Sequence, residues 1–167
     1  MPYTPLSFAY KLAYAGLRVY WFVFRPQIYG VRCLIEFEGK ILMIRQTYGD
    51  MRWTFPGGGF KRNESPEMAA AREVKEEVGI SLPALRFIGE YTSTEGYKRD
   101  NVKCYAGVVG TPHFEIERNE IYEAAWFPWE KLPRPLASDA ERVIELYRKA
   151  EQVSGAGCQV SGNRKTD

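Results

Sequence analysis

The chain has 167 residues, is 45% hydrophobic and carries a formal net charge of +2. That length suits a single domain with a real core, and so small a charge makes no case by itself for nucleic-acid binding. One histidine, His113, and three cysteines, Cys33, Cys104 and Cys158, without paired ligand spacing argue against a zinc site.

Leu6 to Phe24 is apolar and aromatic, interrupted by Lys11 and Arg18, with Arg25 following. On a helix these evenly spaced cations share one face, with Tyr, Trp and Phe on the other. Residues 1–25 are therefore read as an N-terminal amphipathic aromatic helix packed on the domain or at a homodimer contact. Peripheral membrane contact through residues 6–24 is the other reading. Two charges inside the stretch speak against a spanning helix, and the lack of basic residues ahead of it speaks against a cleaved signal. With reduced cysteines, the expected location is cytoplasmic, with membrane-peripheral attachment as a variant.

Val31–Phe37, a turn at Glu38-Gly39-Lys40, and Ile41–Ile44 predict a hairpin. Cys33 falls in that hairpin and Cys104 in a later strand, where each reads as a small buried hydrophobe. Trp53-Thr54-Phe55-Pro56-Gly57-Gly58-Gly59 predicts a strand entering a glycine turn, which lets backbone groups approach a metal or phosphate without a Cβ in the way. Ser65 is a good N-cap, Pro66 suits the first helical position, and Gly79 ends the helix. Ala71, Val74 and Val78 mark its packing arc, and the small Ala69 and Ala70 are read as leaving room beside the carboxylates. Leu85–Tyr91 and Val102–Val109 predict further strands, with His113–Ile116 a shorter one. Ser138–Ala150 predicts a closing helix from Ala140, Val143, Ile144 and Tyr147. Residues 26–150 thus form one domain, and 151–167, polar and rich in Gly and Ser, are expected to be a disordered tail.

The helix carries the chemistry. Glu73, Glu76 and Glu77 fall within roughly a quarter-turn at about 100° per residue. Like charges three and four apart weaken a helix, so a face that accepts them points to a cation. Carboxylates are hard oxygen ligands that suit Mg²⁺ shared with substrate phosphates. A solvated acidic face would leave Gly58, Glu64 and the Arg72-Glu73 pair unexplained.

Gly58, Glu64, Arg72, Glu73, Val74, Glu76, Glu77, Gly79 and Ile80 match the Nudix box, G-x5-E-x7-R-E-U-x-E-E-x-G-U with U aliphatic, without departure. The chain therefore resembles the Nudix hydrolase family. The resemblance implies an α/β fold, a Nudix-type α/β/α sandwich with a mixed β-sheet, to which the N-terminal aromatic helix is added. It implies a pyrophosphohydrolase cleaving a phosphoanhydride in a nucleoside diphosphate linked to another moiety, with Mg²⁺ or Mn²⁺. Glu73 and Glu77 are implied metal ligands, Glu76 a ligand or water-orienting carboxylate, and the Gly57 carbonyl a further oxygen ligand. Arg72 is implied to orient Glu73 and pair with Glu64. The general base varies in the family, and Glu120 and Glu123 are the candidates here. The alternative is a nucleotide-sensing module without catalysis, although such modules usually lose box glutamates.

The box does not name the substrate. Gly58, Tyr97, Trp53 and Arg45 are candidate substrate contacts. Trp53, Tyr97 or Tyr48 could stack on a base, although Trp53 also fits a core position. Lys61, Arg62, Lys98 and Arg99 suit an anionic substrate, so an RNA end and diphosphoinositol phosphates stay open beside nucleotides.

Overall fold

The computed structural model describes residues 16, 17, 20, 22, 23, 27–94 and 99–159. Of the expected N-terminal aromatic helix, only Gly16, Leu17, Tyr20, Phe22 and Val23 are among them; the rest of that expectation, and Tyr97 and Lys98, lie outside the described residues. No helix among the described residues is long and apolar enough to cross a membrane.

The strands are β1 (Gln27–Phe37), β2 (Lys40–Gln46), β3 (Trp53–Thr54), β4 (Arg86–Ser93), β5 (Arg99–Val108) and β6 (Ile121–Pro128), and the helices are α1 (Pro66–Val78) and α2 (Ser138–Gln159). β1 and β2 form the expected hairpin, with Ile35 opposite Leu42 and the turn at Glu38-Gly39. The six-stranded sheet runs β3-β2-β1-β5-β4, with β6 also paired to β2. β1 and β5 are parallel and their neighbours antiparallel, so the sheet is mixed.

Alternation along β1 divides the core between the two faces of the sheet. Val31, Cys33 and Ile35 pack with Leu42, Ile44 and Val74 and Val78 of α1. Leu34, Ile41, Met43 and Phe55 pack with Ala140, Val143 and Ile144 of α2. An α/β/α sandwich follows. Val74 and Val78 are fully buried, each contributing about 1.5–3 kcal/mol of hydrophobic stabilisation. Cys33 and Cys104 are buried free thiols, and burial pushes both thiols up from their ordinary pKa.

Three expectations are corrected. Ala69 and Ala70 are completely buried, whereas Ala71 is only half-buried, so the alanines pack on the sheet and leave no room beside the carboxylates. His113–Ile116 forms no strand; in the irregular segment that continues to Glu117, the Glu115 and Glu117 N–H groups donate to the Val78 and Glu77 carbonyls, at 3.0 and 2.9 Å. A helix end leaves such carbonyls without intrahelical donors, and this segment supplies them. Finally, α2 does not stop near Ala150 but continues through Gln159, into the stretch expected to be disordered.

Candidate active site

The carboxylate helix starts and ends where its caps dictate. Ser65 Oγ accepts from the Met68 N–H, Pro66 opens the helix, and Gly79 at φ 70° donates its N–H to Lys75 O. Ala69 and Ala70 flank Glu73 and Glu77 on the helical wheel, at about 100° per residue. Because both alanines are buried, Glu73 and Glu77 point towards the glycine turn and not into solvent. Glu77 is 3% exposed.

The glycine turn lies against β1 like a further strand. Val31 and Cys33 N–H groups donate to Gly58 O and Pro56 O, each at 2.9 Å. Gly57 has φ 150°, and a Cβ there would stand 2.2 Å from Val31 O. A Cβ on Gly58 would stand 2.6 Å from the Glu73 carboxylate. Only a bare backbone passes between β1 and the acidic face of α1.

Arg72 latches loop to helix. Its guanidinium donates to both Glu64 oxygens at 2.8 and 2.9 Å, to Glu73 Oε1 and Glu76 Oε2 at 2.8 Å, and to Gly59 O at 2.9 Å. The fork geometry of arginine permits so many simultaneous bonds. Hydrogen bonding to Arg72 and to the Lys61 N–H holds the Glu64 carboxyl down at about 2. Lys61 Nζ donates to Glu76 Oε1 at 2.9 Å. This bond and the one from Arg72 hold Glu76 below its ordinary value.

Glu77 is the opposite case. Burial pushes its carboxyl up to about 8; the Gly57 N–H, donating to Oε2 at 2.9 Å, and Arg32 counter this, while the charges of Glu73 and Glu120 add to it. Tyr48, half-buried in the loop after β2, is pushed up to about 12 by burial first and by Glu77, Glu120 and Glu73 among its neighbours. Its phenol therefore stands within electrostatic range of the carboxylates.

The structure separates the two candidates for the base. Glu120 is half-buried, and burial, then Glu117, Glu73 and Glu76, raise its pKa. Its loop is tied down by Thr47 N–H to Glu120 O at 2.8 Å and by Glu117 to the end of α1. In β6 the register shifts: Gln46 pairs with Ile121 but Arg45 with Glu123, so Tyr122 is the extra residue. A bulge re-aims the side chains that follow it, and Glu123 pairs with Arg45 at 3.0 Å, on the Trp53 side of the sheet.

Two expected substrate contacts are corrected with it. Trp53 is 6% exposed and meets Phe127 edge-on at 4.8 Å, so it is a core residue and not a stacking platform. Arg45 lies over Trp53 and donates to Met51 O and Glu123, which commits it to internal contacts. Arg32 and Asp139 escaped notice in the sequence because they lie outside the box, yet Arg32 donates to Gly57 O at 2.8 Å. Among the described residues no three His, Cys, Asp or Glu side chains are gathered as they stand to hold a metal ion. Glu73 and Glu76 are turned to Arg72, and Glu77 to the Gly57 N–H.

Residues 25–147 match the family model of the NUDIX domain. The chain belongs to the Nudix family. A protein of Cellvibrio japonicus named RNA pyrophosphohydrolase is 31% identical over 77% of this chain and 68% of its own length. An ADP-ribose pyrophosphatase of Methanocaldococcus jannaschii is 29% identical over 80% of this chain and 79% of its own. An RNA pyrophosphohydrolase of Saccharophagus degradans is 41% identical, but the match spans only 46% of this chain and 42% of that protein, under half its length. Among solved structures, the MutT NUDIX hydrolase of Burkholderia pseudomallei superposes with a TM-score of 0.67 at 23% identity, over 72% of this chain and 97% of that one, a likeness of fold.

Proposed function

We propose that the protein is a divalent-cation-dependent pyrophosphohydrolase acting on a nucleoside diphosphate linked to another group. The observation that carries this reading is the convergence of the Glu73 and Glu77 carboxylates on a glycine turn whose Gly57 admits no side chain. The donor set fits Mg²⁺, with Mn²⁺ as a substitute: every candidate ligand is an oxygen, and a buried carboxylate raised to about 8 is one whose ionised form a cation favours. Glu73, Glu76, Glu77 and the Gly57 carbonyl would hold the ion, in competition with Arg72 and Lys61. Bound there, a divalent cation neutralises phosphate charge and lowers the pKa of water.

The remaining work falls to the chain. Gly57 and Gly58 let the loop backbone lie against Glu73 and Glu77 without a Cβ in the way, and Arg72 fixes the carboxylates. Glu120, with its raised pKa, takes the proton of the water that attacks phosphorus in line with the leaving oxygen. Glu120→Gln is expected to lower kcat by roughly 10²–10⁴-fold with little change in KM. Glu123→Gln, which removes only the partner of Arg45, should stay within a few-fold. Steady-state kinetics of both variants measure this, and equal losses would remove Glu120 from the role.

The substrate test starts from the compounds in the relatives' names, ADP-ribose and RNA ends, and widens to other phosphoanhydrides. Hydrolysis of ADP-ribose, 5′-triphosphorylated RNA, nucleoside triphosphates, dinucleoside polyphosphates and diphosphoinositol phosphates is followed by chromatography, with Mg²⁺ or Mn²⁺. Cleavage of one class, lost in Glu77→Gln, is the expected result. Ligand binding without turnover of any compound would identify a sensing module instead.

A further inference from the structure

We propose that Arg32 and Asp139, on the face of the sheet away from α1, are positioning residues for cation binding, fixing the Gly57 carbonyl and, through Gly57, the Glu77 carboxylate. The inference rests on the metal-dependent reading above.

Strand alternation explains the geometry. The Pro56 and Gly58 carbonyls face β1 and accept from its N–H groups, so the Gly57 carbonyl between them turns the other way. It is met by the side chain of Arg32, whose neighbours Val31 and Cys33 face α1 while Arg32 itself faces α2. One guanidinium nitrogen donates to Gly57 O at 2.8 Å, and Nε donates to Asp139 Oδ2 at 2.7 Å. Asp139 is in turn fixed at the start of α2 by the Thr54 hydroxyl at 3.0 Å and the Ala140 N–H at 2.8 Å. Gly57 is thus held on both flanks, its N–H on Glu77 and its C=O on Arg32. A carbonyl oxygen has two lone pairs, so one remains for a cation.

Packing alone would not ask for this. The Arg32 and Asp139 side chains are 21% and 22% exposed, and drawing an ion pair that far out of water carries a desolvation cost that an apolar pair avoids. Only a forked cation serves Asp139 and the Gly57 carbonyl at once; a lysine reaches one or the other. Burial opposes the charge on Arg32, but Asp139 keeps the guanidinium above its ordinary pKa, so the latch stays charged at any working pH. The chain from α2 through β1 to the glycine turn and α1 gives the acidic face a support on the far side of the sheet.

The test is Mn²⁺ binding to the protein without substrate, followed by calorimetry and electron paramagnetic resonance, with kcat and the cation dependence of turnover alongside. Arg32→Met is expected to weaken Mn²⁺ binding about 10–100-fold. Asp139→Asn, which keeps the Thr54 and Ala140 contacts, should weaken it less, and Arg32→Lys should recover part of the loss. Unchanged Mn²⁺ affinity in Arg32→Met with only a lowered Tm would overturn the proposal and leave a structural ion pair. If Arg32→Met does not fold, wild-type affinity in both Asp139→Asn and Arg32→Lys overturns it equally. Absence of Mn²⁺ binding by the wild type would overturn the metal-dependent reading itself, and the two failures are told apart before any variant is made.

Discussion

Glu77→Gln is expected to abolish turnover, by at least about a hundredfold, and to make the cation-free protein more stable at pH 8. The carboxyl of Glu77 is raised to about 8 in the folded chain from an ordinary value of 4.5, chiefly by burial. The folded state therefore keeps a proton that the unfolded state has already lost. Stability is full below pH 4.5 and falls as pH rises through the interval up to about 8, because there the native state binds more protons than the unfolded one. Each tenfold difference in proton affinity between the two states is worth about 1.4 kcal/mol, so the wild type loses on the order of a few kcal/mol across this window. Glutamine is neutral and nearly isosteric, and its amide oxygen still accepts from the Gly57 N–H. Calorimetric scans in chelator from pH 4 to 9 should show a falling Tm for the wild type and a flat one for the variant. Adding Mg²⁺ should reverse the order, since a ligand that binds only the native state stabilises it. Parallel curves in chelator would remove Glu77 as the titrating group.

Arg72→Ala should cost both activity and stability at neutral pH. Its guanidinium is the shared donor of Glu64, Glu73, Glu76 and Gly59 O, so its loss frees the loop from the helix and leaves neighbouring carboxylates without their cation. By analogy with the groups that orient metal ligands, the expected loss of kcat/KM is about 10–100-fold. Arg72→Lys should recover little, because a point charge cannot make the bidentate bond to Glu64. The pH signature has the opposite sign to that of Glu77. Glu64, held at about 2, and the lowered Glu76 contribute stability that is present above pH 4.5 and is lost as pH falls towards 2. Acid unfolding followed by circular dichroism should therefore show a shallower acid limb in Arg72→Ala, with the Lys61 N–H sustaining what remains. An unchanged acid limb would mean that the latch seen around Arg72 carries no weight in solution.

The box residues were legible because their information is local. Helix caps act within a turn, so Ser65, Pro66 and Gly79 could be assigned from sequence and stand as expected. The spacing of Glu73, Glu76 and Glu77 follows from helix pitch alone. The hairpin, the glycine turn and the closing helix are equally short-range, and the structure contains all of them. What failed were judgements about which way a surface faces. Ala69 and Ala70 read as open space, but a helix shows its burial only once a sheet lies beneath it.

Sequence by itself thus determined the family, the fold class and the acidic helix, since periodicity, capping and motif spacing are properties of neighbouring residues. Only the tertiary structure brought Glu120 within electrostatic range of the carboxylates and paired Glu123 with Arg45, because one extra residue in β6 rotates the strand, and bulges leave no mark in composition. It likewise removed Trp53 and Arg45 from the candidate substrate contacts by packing them on each other. Finally, it joined Arg32 to Gly57 and Asp139, residues 25 and 107 positions away. Contacts over such separations depend on the pairing of the glycine turn with β1 and on the seating of α2, which no local pattern encodes.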